Sequence, residues 1–327
     1  MILKFYKSNS TFVIFALPII MAILWAPAFM QNTLTVPSNS TFVFDWFYLE
    51  SPLLNRLLAM AIILATAILL NAEINKNEIF ERNTYIPALF YVLIMSSVVE
   101  MQQMHPLVIS NLFWVLAYRR LLNVYNQVQC KSEIFDASIF ICLATLVTFP
   151  SAGVLILLPF ITLAIVRPFD FKEYMMPFFA ILLVAVYLFS YYYITQEEFE
   201  YLNLLSPYFK LDIPLYWTHY GLYGLMAIVM YLSGFKLLAK SNVSSVRFRK
   251  TTSVLLAFLA ITFSAMFYER MISQNDSFLL IGAVPFSLLW SFYFFYNEKK
   301  WIGNIIFYTM LSLILINLYQ PYFPFNF

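Results

Sequence analysis

Apolar residues along this chain come in long, nearly uninterrupted runs, without the 3.6- or 2-residue alternation of half-buried elements. Such runs are the mark of helices that cross a bilayer. Eleven reach or approach spanning length, at 11–30, 53–71, 85–104, 107–122, 136–149, 152–166, 174–194, 217–236, 253–268, 278–296 and 302–319. The pattern therefore predicts an all-α, polytopic membrane protein with about 11 transmembrane helices. The fifth and sixth runs are short and meet at Pro150-Ser151, which predicts a tight helical hairpin, tilted or only partly crossing.

Composition excludes the alternative that 327 residues would otherwise allow, a pair of soluble domains. The chain is 62% apolar and 11% charged, against about 45–50% and 25% in soluble proteins. The longest loops expected on the outer side, 31–52 and 195–216, hold about 22 residues each. A single integral domain over 1–327 is expected, with no soluble domain. Lys4 and Lys7 before the first run, and Ala26-Pro27-Ala28 near its end, resemble a secretory leader. The run is nevertheless expected to persist as a first helix.

Charge sets the orientation. Cations are retained on the cytoplasmic side during insertion. With the N-terminus inside and the C-terminus outside, 16 of the 19 Lys and Arg residues fall on the inner face, while the acids divide eight inside to nine outside. A multi-pass protein of a bacterial inner (cytoplasmic) membrane follows. The net charge of +2 and the lack of a basic stripe interleaved with aromatics give no nucleic-acid partner. Cys130 and Cys142 lack a CxxC spacing, so neither a disulfide framework nor a zinc site is expected. Two histidines cannot build a multi-histidine iron centre, and six glycines form no phosphate-cradling motif. No cofactor and no metal is expected; the partner implied by the runs themselves is membrane lipid.

Chemistry-bearing residues on the outer face are few. The loop Phe44-Asp45-Trp46-Phe47-Tyr48-Leu49-Glu50 leads into Asn55-Arg56 at the start of the second run. Carboxylates beside aromatic rings, followed by an arginine, can set a general base next to an anionic head group; the same residues equally suit an interfacial loop. Glu100 and His105 stand between the third and fourth runs, and Glu269-Arg270 follows the ninth. Asp45, Glu50 and Glu100 are the candidate catalytic groups. Arg56, Lys210 and Arg270, the three outward cations, are the candidate phosphate contacts, with His105 beside them and His219 weaker. Polar residues within the runs are mainly neutral, such as Ser110, Asn111, Thr145, Thr262 and Asn317.

An acid-bearing loop after the first run, then SPLLNRLLAMAIIL, then HPLVISNLFWVLAYRRLL, then ATLVTFPSAGVLILLPFITLAIVRP resembles the N-terminal module of the GT-C glycosyltransferases. That resemblance covers residues 1–194, leaving 195–327 as C-terminal helices. It implies a polyprenyl-phosphate-linked sugar as donor at the outer face, Asp45 as the base, Glu100 or His105 in the second outer loop, and Arg56 beside the donor phosphate. The stretches AEINKNEIFERNTYIPALF and KSEIFDASIF also resemble an uncharacterised family of polytopic inner-membrane proteins of Bacteroidota. Two other functions fit the same sequence: a non-enzymatic scaffold or accessory subunit with a membrane protein partner, and a lipid or small-molecule transporter.

Overall fold

The computed structural model describes residues 2–8, 10, 12–30, 34, 42–45, 47–127, 129–149, 151–195, 217–273, 276–297 and 299–319. The elements are α1 (Ile2–Tyr6), α2 (Phe12–Met30), α3 (Phe42–Asp45), α4 (Pro52–Lys76), α5 (Ile86–Met95), α6 (Pro106–Asn123), α7 (Lys131–Val147), α8 (Leu158–Val166), α9 (Phe171–Thr195), α10 (Trp217–Val243), α11 (Val246–Ser273), α12 (Ala283–Tyr296) and α13 (Lys300–Tyr319). The described residues contain no strand. Among the described residues, helices of spanning length and apolarity number seven: α2, α4, α9, α10, α11, the stretch Leu279–Tyr296 that includes α12, and α13. The chain is thus a multi-pass α-helical membrane protein.

Several of the remaining runs are realised differently from an unbroken span. The run at 85–104 forms a helix only to Met95, followed by a 3₁₀ turn at Val99–Met101 and irregular chain to His105. Ten residues rise only about 15 Å, half of a hydrocarbon core about 30 Å thick. All ten residues of α5 are buried, as are Ser96, Ser97, Gln102 and Gln103 after it. Non-helical backbone at such depth is tolerated where protein covers it.

A second departure occurs twice. The 3₁₀ segments Ser151–Leu157 and Asp276–Gly282 lead directly into α8 and α12. Both follow one sequence pattern, Ser-x7-Pro-Phe: Ser151 to Pro159-Phe160 and Ser277 to Pro285-Phe286. In each case a helix precedes the unit (α7 or α11) and another follows it (α9 or α13). A 3₁₀ rise of about 2 Å per residue stretches seven residues to about 14 Å; with the nine of α8 the unit reaches about 27 Å, nearly a full crossing. Both 3₁₀ segments pack against α11. The first-run-to-last pattern of apolar residues hides this internal repeat, because a 3₁₀ turn and an α-turn are equally apolar here.

Neutral polar groups stitch the bundle. In α2, Pro27 deprives the Ile23 carbonyl of its helical N–H, and Tyr319 Oη donates to that oxygen at 3.0 Å. One residue on, Gln102 Nε2 donates to the Leu24 carbonyl at 3.0 Å, and Trp25 Nε1 donates to Ser96 Oγ at 3.0 Å. Ser110 Oγ donates to the Ala144 carbonyl at 3.1 Å, holding α6 close to α7. Asn111 Nδ2 donates to Leu107 O and to Leu280 O, at 2.8 and 3.0 Å, so α6 satisfies a carbonyl of the second 3₁₀ segment. Thr145 and Thr262 bond back to carbonyls of their own helices. Ser110, Asn111, Thr145 and Thr262 therefore serve interhelical and local hydrogen bonding, whereas both polar atoms of the Asn317 side chain are buried without a hydrogen-bond partner.

The cation-bearing loops gather at one end of the bundle. Arg119 pairs with Glu73 at 2.9 Å, Arg120 with Glu133 and Asp136 at 3.3 and 3.2 Å, and Arg167 with Glu173 at 3.5 Å. Lys240 pairs with Glu81, and Arg247 Nη2 donates to Asn77 Oδ1 at 3.3 Å. These bonds join the ends of α4, α6, α7, α9, α10 and α11 on a single cation-rich face.

Candidate functional site

At the opposite end, the first turn of α4 and the chain at 96–105 lock together through Asn55. Its side chain is fully buried; Nδ2 donates to the Leu49 carbonyl at 2.9 Å, and Oδ1 accepts from the Met104 N–H at 2.7 Å. Ser51-Pro52 starts α4 where the missing proline N–H is harmless. Arg56, one residue after Asn55, is buried with it, and His105, one residue after Met104, is buried as the N-cap of α6. His105 Nδ1 accepts from the Leu107 N–H at 3.2 Å. Burial pushes its imidazole down to about 3, so the ring is neutral and free to act as that acceptor.

Beside this belt lies a chamber of about 570 Å³ between α10, α11, α12 and the end of α5. Its walls are Met226 and Met230 from α10, Phe263 and Met266 from α11, and Phe286 and Trp290 from α12; Ser97 and Arg270 also line it. The wall is shaped by Gly282: a Cβ there would lie 2.5 Å from the Phe286 ring. Without a side chain, Phe286 folds back over the junction of 3₁₀ and α-helix and stacks on Trp290, centroids 6.4 Å apart. Trp290 is buried, and its indole N–H has no acceptor. Methionine suits a wall that must fit irregular chains. Phe263 and Phe267 line the chamber and are exposed residues, so the space is open at this wall rather than sealed.

The sequence-derived candidates distribute as follows. Asp45 ends α3 and is exposed; Glu50 is exposed just before α4. α3 packs on α7, anchored by buried Phe44, and neither acid is among the chamber's described lining residues. Arg56 and His105 converge on the buried belt. Arg270 reaches the chamber, together with Ser97 from the same 96–105 segment. Glu100 belongs to the 3₁₀ turn Val99–Met101, its side chain lying outside the described residues, as do Lys210 and the side chain of His219. Cys130 and Cys142 are buried free thiols, and burial together with Glu173 pushes Cys130 up to about 11. Asn55, Ser97 and Trp290 were not singled out from sequence. The signals were present, however, in the amide beside Arg56 and in the Ser96-Ser97 pair interrupting an apolar run.

An apolar chamber between helices, open at one wall with a cation among its lining residues, is a feature of a multi-pass integral membrane protein in contact with lipid. No family of known proteins, no curated protein and no solved structure matches the chain.

Proposed function

We propose that the protein binds an amphiphilic lipid with an anionic, phosphate-bearing head: the tail lies in the chamber and the head meets Arg270. The observation that carries this reading is the chamber itself, in which Arg270 is the one cation among described lining residues that are otherwise almost entirely apolar. A tail gains little by moving from bilayer to apolar protein, since both are hydrocarbon-like. Selectivity then rests on the head, where a charge-assisted bond contributes about 1.5–3 kcal/mol. An isoprenoid phosphate is the preferred ligand, in keeping with the polyprenyl-phosphate donor implied by the resemblance to GT-C enzymes. Transfer of a sugar from that donor, with Asp45 as base and Glu100 beside it, is the extension of the same proposal.

The test is binding of farnesyl phosphate to the purified full chain in neutral detergent, measured by native mass spectrometry with farnesol as the headless control. Saturable binding of the phosphate is expected, weakened about 10- to 100-fold in Arg270→Gln. Equal binding of farnesol, or an unaffected Arg270→Gln variant, overturns the reading. Transfer is tested separately: normal function of an Asp45→Ala, Glu100→Ala double variant removes the catalytic extension and leaves the binding claim standing.

A further inference from the structure

A second cavity, of about 540 Å³, lies at the cation-rich end and has the opposite character. Three cations line it, Lys4 and Lys7 from the N-terminal segment and Arg82 from the chain between α4 and α5, and no acid is among its described lining residues. Neutral hydrogen-bonding groups complete it: Ser8, Asn297 and Asn304. Glu81, next to Arg82 in sequence, pairs with Lys240.

The cations are held in place by the fold. α1 is pinned to the α4–α5 connection, where the Tyr85 N–H and Thr84 Oγ1 both donate to the Tyr6 carbonyl, at 2.9 and 3.2 Å. Tyr6 and Leu3 are buried, which turns Lys4 to the outside of the same helix. Lys7 Nζ donates to the Phe295 carbonyl at 3.4 Å, and the Arg82 guanidinium lies 5.4 Å from the centroid of the Phe295 ring. Stacking on a ring fixes the plane of the guanidinium beside the cavity. Asn297 Oδ1 accepts from the Lys299 N–H at 3.1 Å, and its amide hydrogen-bonds the Tyr293 hydroxyl. Gly303 makes room for that amide: a Cβ there would stand 3.3 Å from Nδ2.

We infer that this cavity is an anion site that binds a phosphate ester through Lys4, Lys7 and Arg82. Cations that only set topology need no cavity. Here three of them share one, and their separate sequence positions are brought together by the packing of α1. The cavity is larger than bare phosphate requires and falls within the range of small-molecule sites, so the ester carries an organic body. Two sources supply that chemistry, a phospholipid head group and a soluble phosphoester. The elements that build the cavity also present exposed Phe5 and Trp301, side chains suited to the level where lipid head groups sit.

The experiment titrates the delipidated full chain in neutral detergent with dioleoyl phosphatidylglycerol, with dioleoylglycerol as the phosphate-free control, and separately with inorganic phosphate. Binding is read by native mass spectrometry and by the shift in melting temperature. A Lys4→Gln, Lys7→Gln, Arg82→Gln variant is compared with a Lys131→Gln, Lys172→Gln variant, which removes charge from the same face outside the cavity. Each cation near an anionic head contributes about fivefold, so the triple variant is expected to bind at least 25-fold more weakly, and the control variant as wild type. Because Lys7 also bonds the backbone, Arg82→Gln alone, an exposed side chain, serves as the second variant, with a loss of about fivefold expected. Phosphatidylglycerol binding without a phosphate response identifies a lipid site; a phosphate response identifies a soluble phosphoester site. Binding to neither, equal binding of dioleoylglycerol, or an equal loss in the control variant overturns the inference.

Discussion

Asn55 is the narrowest joint between the first turn of α4 and the buried chain that follows α5, and its replacement by leucine, close in shape, isolates the two hydrogen bonds. The Met104 N–H, bonded at 2.7 Å within a fully buried residue, would be left without an acceptor, a cost of about 1–3 kcal/mol. The Leu49 carbonyl, bonded at 2.9 Å in a residue that is 38% exposed, can turn to water or head groups, so its loss costs only about 0.5–1.5 kcal/mol. Together Asn55→Leu should destabilise by about 2–4 kcal/mol. At roughly 2 °C per kcal/mol for a chain of this size, the melting temperature falls by about 4–8 °C. Tryptophan fluorescence during heating, at one fixed detergent-to-protein ratio, measures it. Hydrogen-exchange mass spectrometry should in addition show faster deuterium uptake over 96–105 with little change in α7. A variant that melts with wild type, or whose extra exchange is spread evenly over the protein, refutes the claim that this amide holds the segment.

Two further predictions concern the same framework. Glu78 takes a left-handed conformation, φ 52°, at the end of α4, where the Ile79 N–H reaches Ile74 O and the Glu78 N–H reaches Asn75 O. Glycine is the residue that such a Schellman cap favours, so Glu78→Gly should stabilise by about 0.5–1 kcal/mol, and a lower melting temperature would contradict it. His105 titrates near 6.5 when unfolded and at about 3 when folded. The unfolded chain therefore binds the extra proton first, and this residue's contribution to stability is whole above 6.5 and lost as the pH falls toward 3. Between pH 6.5 and 4.5 the loss is on the order of 2 kcal/mol, and His105→Asn, which keeps a capping acceptor for Leu107, should remove that part of the acid sensitivity. Parallel melting curves for wild type and variant across this range would show that the imidazole is not held neutral.

The membrane character was legible because spanning helices need little more than length and apolarity, and both are properties of consecutive residues. The count of crossings was less so. The run at 85–104 is as apolar as its neighbours, yet its helix stops at Met95, since what permits irregular chain there is cover from other helices and bonds such as Gln102 to Leu24. The Ser-x7-Pro-Phe repeat was visible in letters, but only the paired 3₁₀ segments give it meaning. Among candidate site residues, Arg270 reaches a chamber and Arg56 and His105 enter a buried belt. Sequence position does not distinguish these environments.

By itself, then, the sequence determined the solvent of this protein and the near exclusion of its charges from the apolar runs. Both depend on local sums, the transfer of apolar side chains and the cost of placing charge among them, that hold whatever the helices do next. The tertiary structure decided where helices break, which amides and hydroxyls are satisfied, and where space is left. A cavity is a property of gaps between elements far apart in the chain: Ser97 and Arg270 line one, and Lys4, Arg82 and Asn297 another, through packing geometry that no run of consecutive residues records.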